Sequence, residues 1–542
     1  MLGSPRPGRE NPRLDFDVII IGGGINGAGI ARDAALRGLR TCLLEQDDLC
    51  GATSRWCSRL VHGGLRYLEF AEFGLVRESL REREVLLRTA PHLVRPLPLL
   101  IPLLAGARRG PATVRAGMWL YDLLSAGKSL PSHRMLDAAA TRREMPGLEV
   151  DGLRGAAGYH DAQVRFPERL VLENLLAARA AGADIRLRTV AERVLVEAGC
   201  VSGVLLRDLR RGTTGTLAAP LVVNAAGPWV DRLLGSLAGQ RQRRYIGGSK
   251  GTHLVTGPLP GLGASACYAE AAADGRPFFI IPWNGMTLIG TTDIAFDGDP
   301  GAVHSDPAEV DYLLAEARRL FPAAGLSRDA VHYSYVGVRP LPAAAGKDQA
   351  AITRRHQLRH HRNLARGLYS VIGGKLTTYR SLAAQVVDRL ARRSGRDLAA
   401  CSTHREALPG ALADPVPLAA DITARTGLDG AVAARLVGLY GSRADAVAAL
   451  VARDPALGAS LGSAHAIAAE IVFAFEEEMA TSLADCLMRR TMLGLEADLG
   501  AGVLDGALRV AAEQLGWDAA RCMAERTGFL VETAALRRPL QR

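Results

Sequence analysis

With 542 residues, 48% of them hydrophobic, the chain can bury large cores and predicts two to four folded domains rather than a disordered or low-complexity polymer. A formal charge of +10 points to anionic partners, whether phosphorylated metabolites, acidic lipid headgroups or nucleic acid, and does not choose among them. Eight cysteines without a CxxC pair read as reduced thiols and argue against a metal cluster.

Taken from the start, residues 1–16 form a basic, proline-containing extension with no apolar signal-peptide core; it reads as a disordered tail and predicts a cytosolic location. The first organised stretch is DFDVIIIGGGINGAGIARDAALRGLRTCLLEQDDL at 15–49. An apolar run leads into Gly22, Gly24 and Gly27 in GxGxxG spacing, then an alanine-rich helical segment, then a second apolar run ending at Glu45. Glycines let the backbone approach a pyrophosphate at the helix N-terminus, and the acid after the second strand takes ribose hydroxyls. That order of strand, glycines, helix and acid predicts dinucleotide binding, by NAD or FAD.

Next comes VHGGLRYLEF at 61–70, which read locally is a turn at Gly63 and Gly64 followed by a helix, with Arg66 and Tyr67 on a solvated face. Residues 93–107, LVRPLPLLIPLLAGA, are apolar, but Arg95 and three prolines predict short strands and turns rather than a membrane-spanning helix. Shallow membrane contact stays open. Downstream, LAAPLVVNAAGPWVDRLL at 217–234 reads as a strand running into Ala226, Gly227 and a helix. GLYSVIGGKLTTYRSLAAQVVDRL at 367–390 repeats that pattern through Gly373 and Gly374, with a helix from about Thr377. Three separated segments gripping one cofactor favour flavin. Strands in FFIIPW, MTLIGTTD and YSYVGVRPL predict a sheet that roofs it. Beyond residue 400, helical spacing takes over at 431–451, 463–493 and 504–516, predicting an all-helical, self-contained cap. Within it, FAFEEEMATSLADCLMRRT begins acidic and ends basic, as a helix dipole favours.

These motifs, together with ATSRWCSRLVHGGLRYLE, KGTHLV and IIPWNGMTLIGTTD, occur in one order over about residues 15–390. The sequence thereby resembles the FAD-dependent glycerol-3-phosphate dehydrogenase family, the aerobic, quinone-linked type. The resemblance implies an α/β architecture: a two-dinucleotide-fold FAD-binding domain, an antiparallel-sheet substrate domain and the helical C-terminal domain. It divides the chain into FAD-binding parts at 15–80, 161–240 and 346–395, substrate-domain parts at 81–160 and 241–345, and the helical domain at 400–542. One departure stands out. Where the family commonly reads Ser-Ser-Lys-Leu, this chain has Cys57-Ser58-Arg59-Leu60, so flavin contacts are not assigned to Cys57 or Arg59.

The implied reaction oxidises sn-glycerol 3-phosphate to dihydroxyacetone phosphate through FAD, with electrons passing to a membrane quinone. A phosphate dianion needs fixed cations, and the resemblance gives that role to Arg66, Arg339 and Lys375, with Tyr67 beside the substrate. His62 and His253 are the candidate proton acceptors, and Arg339 is a candidate stabiliser of the developing alkoxide. FAD contacts are expected at Gly22, Gly24, Asn26, Gly27, Glu45, Thr53, Ser54, Ser58, His62, Gly63, Gly64, Ala226, Gly227, Gly374, Lys375, Leu376 and Thr377. No metal and no nucleic-acid partner are expected, and a homodimer is left open. An anionic lipid surface at the inner face of the cell membrane is the expected docking place. The competing readings are an oxidase that uses oxygen, a tRNA-modifying flavoprotein and a non-catalytic flavin-binding protein. The oxidase branch generally carries an insertion not recognised in this sequence.

Overall fold

Four consecutive aliphatic residues buried on both faces make a strand suited only to the middle of a parallel sheet. That is where β1 (Val18–Ile21) lies, with α1 (Ile25–Leu36) and β2 (Thr41–Leu44) completing the first unit. The computed structural model describes residues 14–237, 244–343, 353–462 and 465–540; the rest of the N-terminal extension lies outside them. In the six-stranded sheet β1 is flanked by β2 and by Val222–Asn224, then Leu368–Ile372, all parallel; Gln357–His360 closes one edge antiparallel and Asp184–Arg186 the other edge parallel. Helix α1 packs against helices Pro167–Ala180 and Tyr379–Ser394, and so closely that a Cβ on Gly29 would lie 2.6 Å from the Tyr379 ring.

A second, ten-stranded sheet is mostly antiparallel. One long ladder pairs Ile246–Thr256 with Val331–Pro342, which sets Ser249 opposite Arg339 and His253 opposite Tyr335. Residues 94–104, expected as short strands and turns, form one strand of 11 residues. Pro96, Pro98 and Pro102 share one parity, so their missing N–H groups fall on a single edge and the ladder to Leu153–Val164 survives.

Among the described residues, seven α-helices between Val416 and Arg537 build the C-terminal region. It is not the self-contained cap expected from its sequence: one apolar core runs from Leu436, Ile471 and Leu487 into Trp283, Tyr333 and Tyr335 of the large sheet. The acidic-to-basic segment also breaks, into helices Ala468–Glu476 and Leu483–Arg489. Glu478, Asp485, Arg489 and Arg490 are buried in ion pairs instead of serving one helix dipole, while Glu476 and Glu477 are exposed.

Candidate active site

The glycine turn after β1 leaves no room for side chains. A Cβ on Gly22, at φ +115°, would lie 2.6 Å from the Ala225 carbonyl oxygen and 3.1 Å from Ala226 Cα; one on Gly27 would lie 1.8 Å from the Gly22 oxygen. Gly24 immediately precedes α1, and the Ile25 N–H behind it donates to Ser54 Oγ at 3.0 Å. Glu45 accepts from Gly23 N at 2.5 Å and from Asp47 N at 2.9 Å, and burial pushes its carboxyl up to about 7 against the pull of those two bonds. On the other side, Gly374 faces Asn26, whose Oδ1 is buried without a hydrogen-bond partner among the described residues. A cradle of tight glycines, an unpaired buried acceptor and an acid at the end of β2 fit a dinucleotide laid across the N-terminus of α1. Gly227 opens a short turn with nothing near its Cβ position.

Beside this cleft lies a cavity of about 310 Å³ whose walls include Leu376, Thr377 and Gly64. Arg59, Arg66, Arg276, Arg339, Arg354 and Lys375 line it, against the carboxylates of Glu72 and Asp293 alone among the described residues. The three cations expected to act together, Arg66, Arg339 and Lys375, therefore share one cavity. Tyr67 stands among them, its ring filling the space that a Cβ on Gly64, at φ +79°, would take. The Lys375 ammonium lies 4.1 Å from the Tyr67 ring centroid and donates to Ser79 Oγ at 3.0 Å. Burial pushes its pKa down to about 7, opposed by Glu78 and Glu72.

Arg339 is locked in place. It donates to Thr291 Oγ1 at 2.9 Å, to the Thr292 carbonyl at 3.1 Å, and to Ser249 Oγ and Asp293 at 3.2 Å. Asp293 also takes Arg354 at 3.1 Å, leaving Arg354 Nη1 buried and unpartnered among the described residues. Arg66 has no carboxylate within ion-pair distance among the described residues and lies over the Phe70 ring at 6.0 Å. The cavity thus presents guanidinium groups whose charge is not fully balanced, the chemistry an anionic ligand requires.

Both candidate histidines line the cavity as neutral imidazoles. Burial brings His62 down to about 4, with Lys375 and Arg83 adding to it against Asp161. Its backbone N–H donates to Thr377 Oγ1 at 3.1 Å. His253 is buried, bonded through Nε2 to Ser58 Oγ at 2.9 Å and stacked on Tyr335; burial, then Arg339 and Arg59, hold it well below the usual imidazole range. Thr53 donates to the Val338 carbonyl at 2.6 Å. The space next to Gly63 is taken by Leu80 and Tyr121.

Arg59 is an inward structural group: it pairs with fully buried Glu168 at 3.1 and 3.3 Å and lies over the Trp283 ring. The Cys57 thiol is pushed up to about 11 by burial, and its carbonyl accepts from Tyr335 Oη at 2.8 Å. Sequence reasoning missed Arg354 and Asp293. Asp293 closes the IGTTD segment and could have been weighed as an arginine partner. Arg354 sits in an unpatterned connection beside exposed Arg355, and no local signal separates the two.

Comparison with known proteins agrees with this geometry. Residues 17–380 match the family described as FAD dependent oxidoreductase, and 401–522 the C-terminal domain of alpha-glycerophosphate oxidase. The chain is 46% identical over 521 residues to a glycerol-3-phosphate dehydrogenase of Synechocystis sp., covering 94% of each chain. It is 36% identical to glycerol-3-phosphate dehydrogenase 2 of Mycobacterium bovis, covering 96% of this chain and 88% of that protein. Among solved structures, the glycerol-3-phosphate dehydrogenase from Bacillus halodurans complexed with FAD superimposes with a TM-score of 0.81 at 30% identity, over 98% of this chain and 97% of that one.

Proposed function

Since this chain belongs to the FAD-dependent glycerol-3-phosphate dehydrogenase family, we propose that it oxidises the secondary alcohol of sn-glycerol 3-phosphate to dihydroxyacetone phosphate and delivers the electrons to a membrane quinone. One observation carries the reading of the substrate. Arg66, Arg339, Arg354 and Lys375 converge on one cavity whose wall is continuous with the cofactor-facing residues Gly374, Leu376 and Thr377. FAD, when bound, supplies the two-electron acceptor for the hydride that leaves the carbinol carbon.

The chain's own residues do the rest. Arg66, Arg354 and Lys375 hold the phosphate, two of them through planar forks suited to its oxygens. Arg339, fixed beforehand by Asp293, Thr291 and Thr292, aims its positive charge at the alcohol oxygen as that oxygen becomes an alkoxide. The hydroxyl proton passes to His62 or His253, both uncharged and facing the cavity. Tyr67, its ring centroid 4.1 Å from the Lys375 ammonium, covers one side of that cation.

Quinone as acceptor places the protein peripherally on the inner face of the cell membrane. No helix of the described residues is long and apolar enough to cross a membrane. The support is a surface patch: Phe70 and Phe73 are 42% and 44% exposed beside the cavity mouth, and Trp119 and Leu123, on the neighbouring helix Pro111–Leu124, are 67% and 72% exposed. Exposed Arg108 and Arg115 flank it, as an acidic lipid surface favours.

The deciding experiment is anaerobic addition of glycerol 3-phosphate to the FAD-loaded protein. Bleaching of the visible flavin absorption by one equivalent is expected; an unchanged spectrum would overturn the substrate reading. Peroxide formed stoichiometrically in air without quinone would instead reassign the acceptor to oxygen.

A further inference from the structure

The segment from Glu45 to Arg59 joins the cofactor cleft to the C-terminal helices. At its cofactor side, Glu45 and Ser54 hold the N–H groups of Gly23 and Ile25, and the Cys50 N–H donates to the Gly23 carbonyl at 3.0 Å. At its far side, the fully buried Asp48 carboxylate accepts from Arg489 at 2.6 Å and from both terminal nitrogens of Arg490 at 2.7 Å. Arg489 also meets Asp485 and Glu532, each at 2.8 Å. Glu532, on helix Ala519–Arg537, takes Arg55 at 2.9 Å. Arg188 ties Asp47 to Asp485. Asp47, Asp48 and Arg55 are thus all bonded into one charge network whose other members include C-terminal side chains.

We propose that this network is a latch through which the C-terminal helices position the FAD-binding loop, so that FAD affinity and docking of those helices are coupled. The physical reason is the cost of a half-made pair. Arg490 and Asp48 are both fully buried, and removing Arg490 strips Asp48 of two of its three arginine hydrogen bonds and leaves it only Arg489, which Asp485 and Glu532 already share. The loop then relaxes by moving Asp48 towards water, which carries Ser54 and Glu45 off the N-terminus of α1. Such coupling is reciprocal: whatever the helices do for FAD, FAD does for the helices. The inference rests on the FAD fit and family membership; it does not depend on the substrate or on the quinone, so the bleaching experiment and this one fail independently.

The test titrates FAD into the apo-protein, reading quenching of flavin fluorescence. Four forms are compared: wild type, Arg490→Met, Arg490→Lys, and Leu508→Ala, which cavitates the C-terminal core away from the network. Arg490→Met is expected to bind FAD about tenfold more weakly or worse, Arg490→Lys to recover part of the loss, and Leu508→Ala to stay within about twofold of wild type despite a lower Tm. In wild type, FAD should slow amide hydrogen exchange across 483–490 and 519–537. Binding by Arg490→Met within about twofold of wild type, or an equal loss in Leu508→Ala, would overturn the latch. So would exchange in those helices that ignores FAD. The exchange comparison needs no variant, and it decides alone if Arg490→Met does not fold.

Discussion

Lys375 stands at its own midpoint near neutral pH because burial disfavours the ammonium while Glu72 and Glu78 only partly restore it. Its folded pKa is depressed from 10.5 to about 7, so the cation is present below that pH and lost above it. If this cation holds the substrate phosphate, kcat/KM should fall as pH rises past about 7, with an acid limb near pH 6 (about the second phosphate pKa) where the dianion itself takes up a proton. Arginine cannot deprotonate in this range, so Lys375→Arg should keep its kcat/KM through the alkaline region even if the absolute value drops. Identical alkaline limbs in both proteins would remove Lys375 from the phosphate site. Asp293 shows the same logic from the other sign. It is held below the usual carboxylate range by Arg339 and Arg354 despite burial, and as a permanent anion it keeps both guanidinium groups oriented.

At the level of elements, the contact between α1 and β1 is set by one missing methyl. A Cβ on Gly27 would overlap the Gly22 carbonyl, so Gly27→Ala must push the helix off the strand. We expect loss of FAD binding in a titration and a destabilisation of about 1–3 kcal/mol by denaturant unfolding. Gly117, inside helix Pro111–Leu124, has nothing within 4 Å of its Cβ position and makes the matching control. Gly117→Ala should bind FAD normally and gain up to about 1 kcal/mol from helix propensity. The opposite ranking would show that crowding at the turn is not what the glycine spacing serves. The same scale explains the 11-residue strand at 94–104. Prolines punctuate a sequence read locally, yet when they share one parity the other edge of the strand keeps its ladder.

For the whole molecule, an exposed apolar patch bordering a cationic cavity gives the membrane reading a concrete form. The wild-type protein should float with phosphatidylglycerol vesicles at low salt, and Trp119→Ser combined with Leu123→Ser should stay at the bottom of the gradient while its flavin still bleaches with substrate. Failure of the wild type to float would end the proposal of a peripheral membrane protein. The two side chains lie four residues apart on one helix face, so the double change removes one patch without touching the cavity walls.

The dinucleotide cleft was legible from the chain alone because strand, glycine turn, helix and acid are contiguous over 15–49, and each constraint is local: a steric gap, a helix N-terminus, a carboxylate at a strand end. The cations Arg66, Arg339 and Lys375 are legible on other grounds, through the family resemblance, each sitting in one of the motifs that carry it. What tertiary structure decided was everything carried by partners distant in sequence. Arg354 becomes a cavity cation only because Asp293 turns it inward. Arg59 becomes a buried strut only because Glu168 waits opposite. Arg489 and Arg490 are tied to the segment after β2 only because Asp48, 442 residues before Arg490, is buried beneath them. A charge's meaning depends on its dielectric surroundings and its counter-ion, and neither is written in the residues next to it.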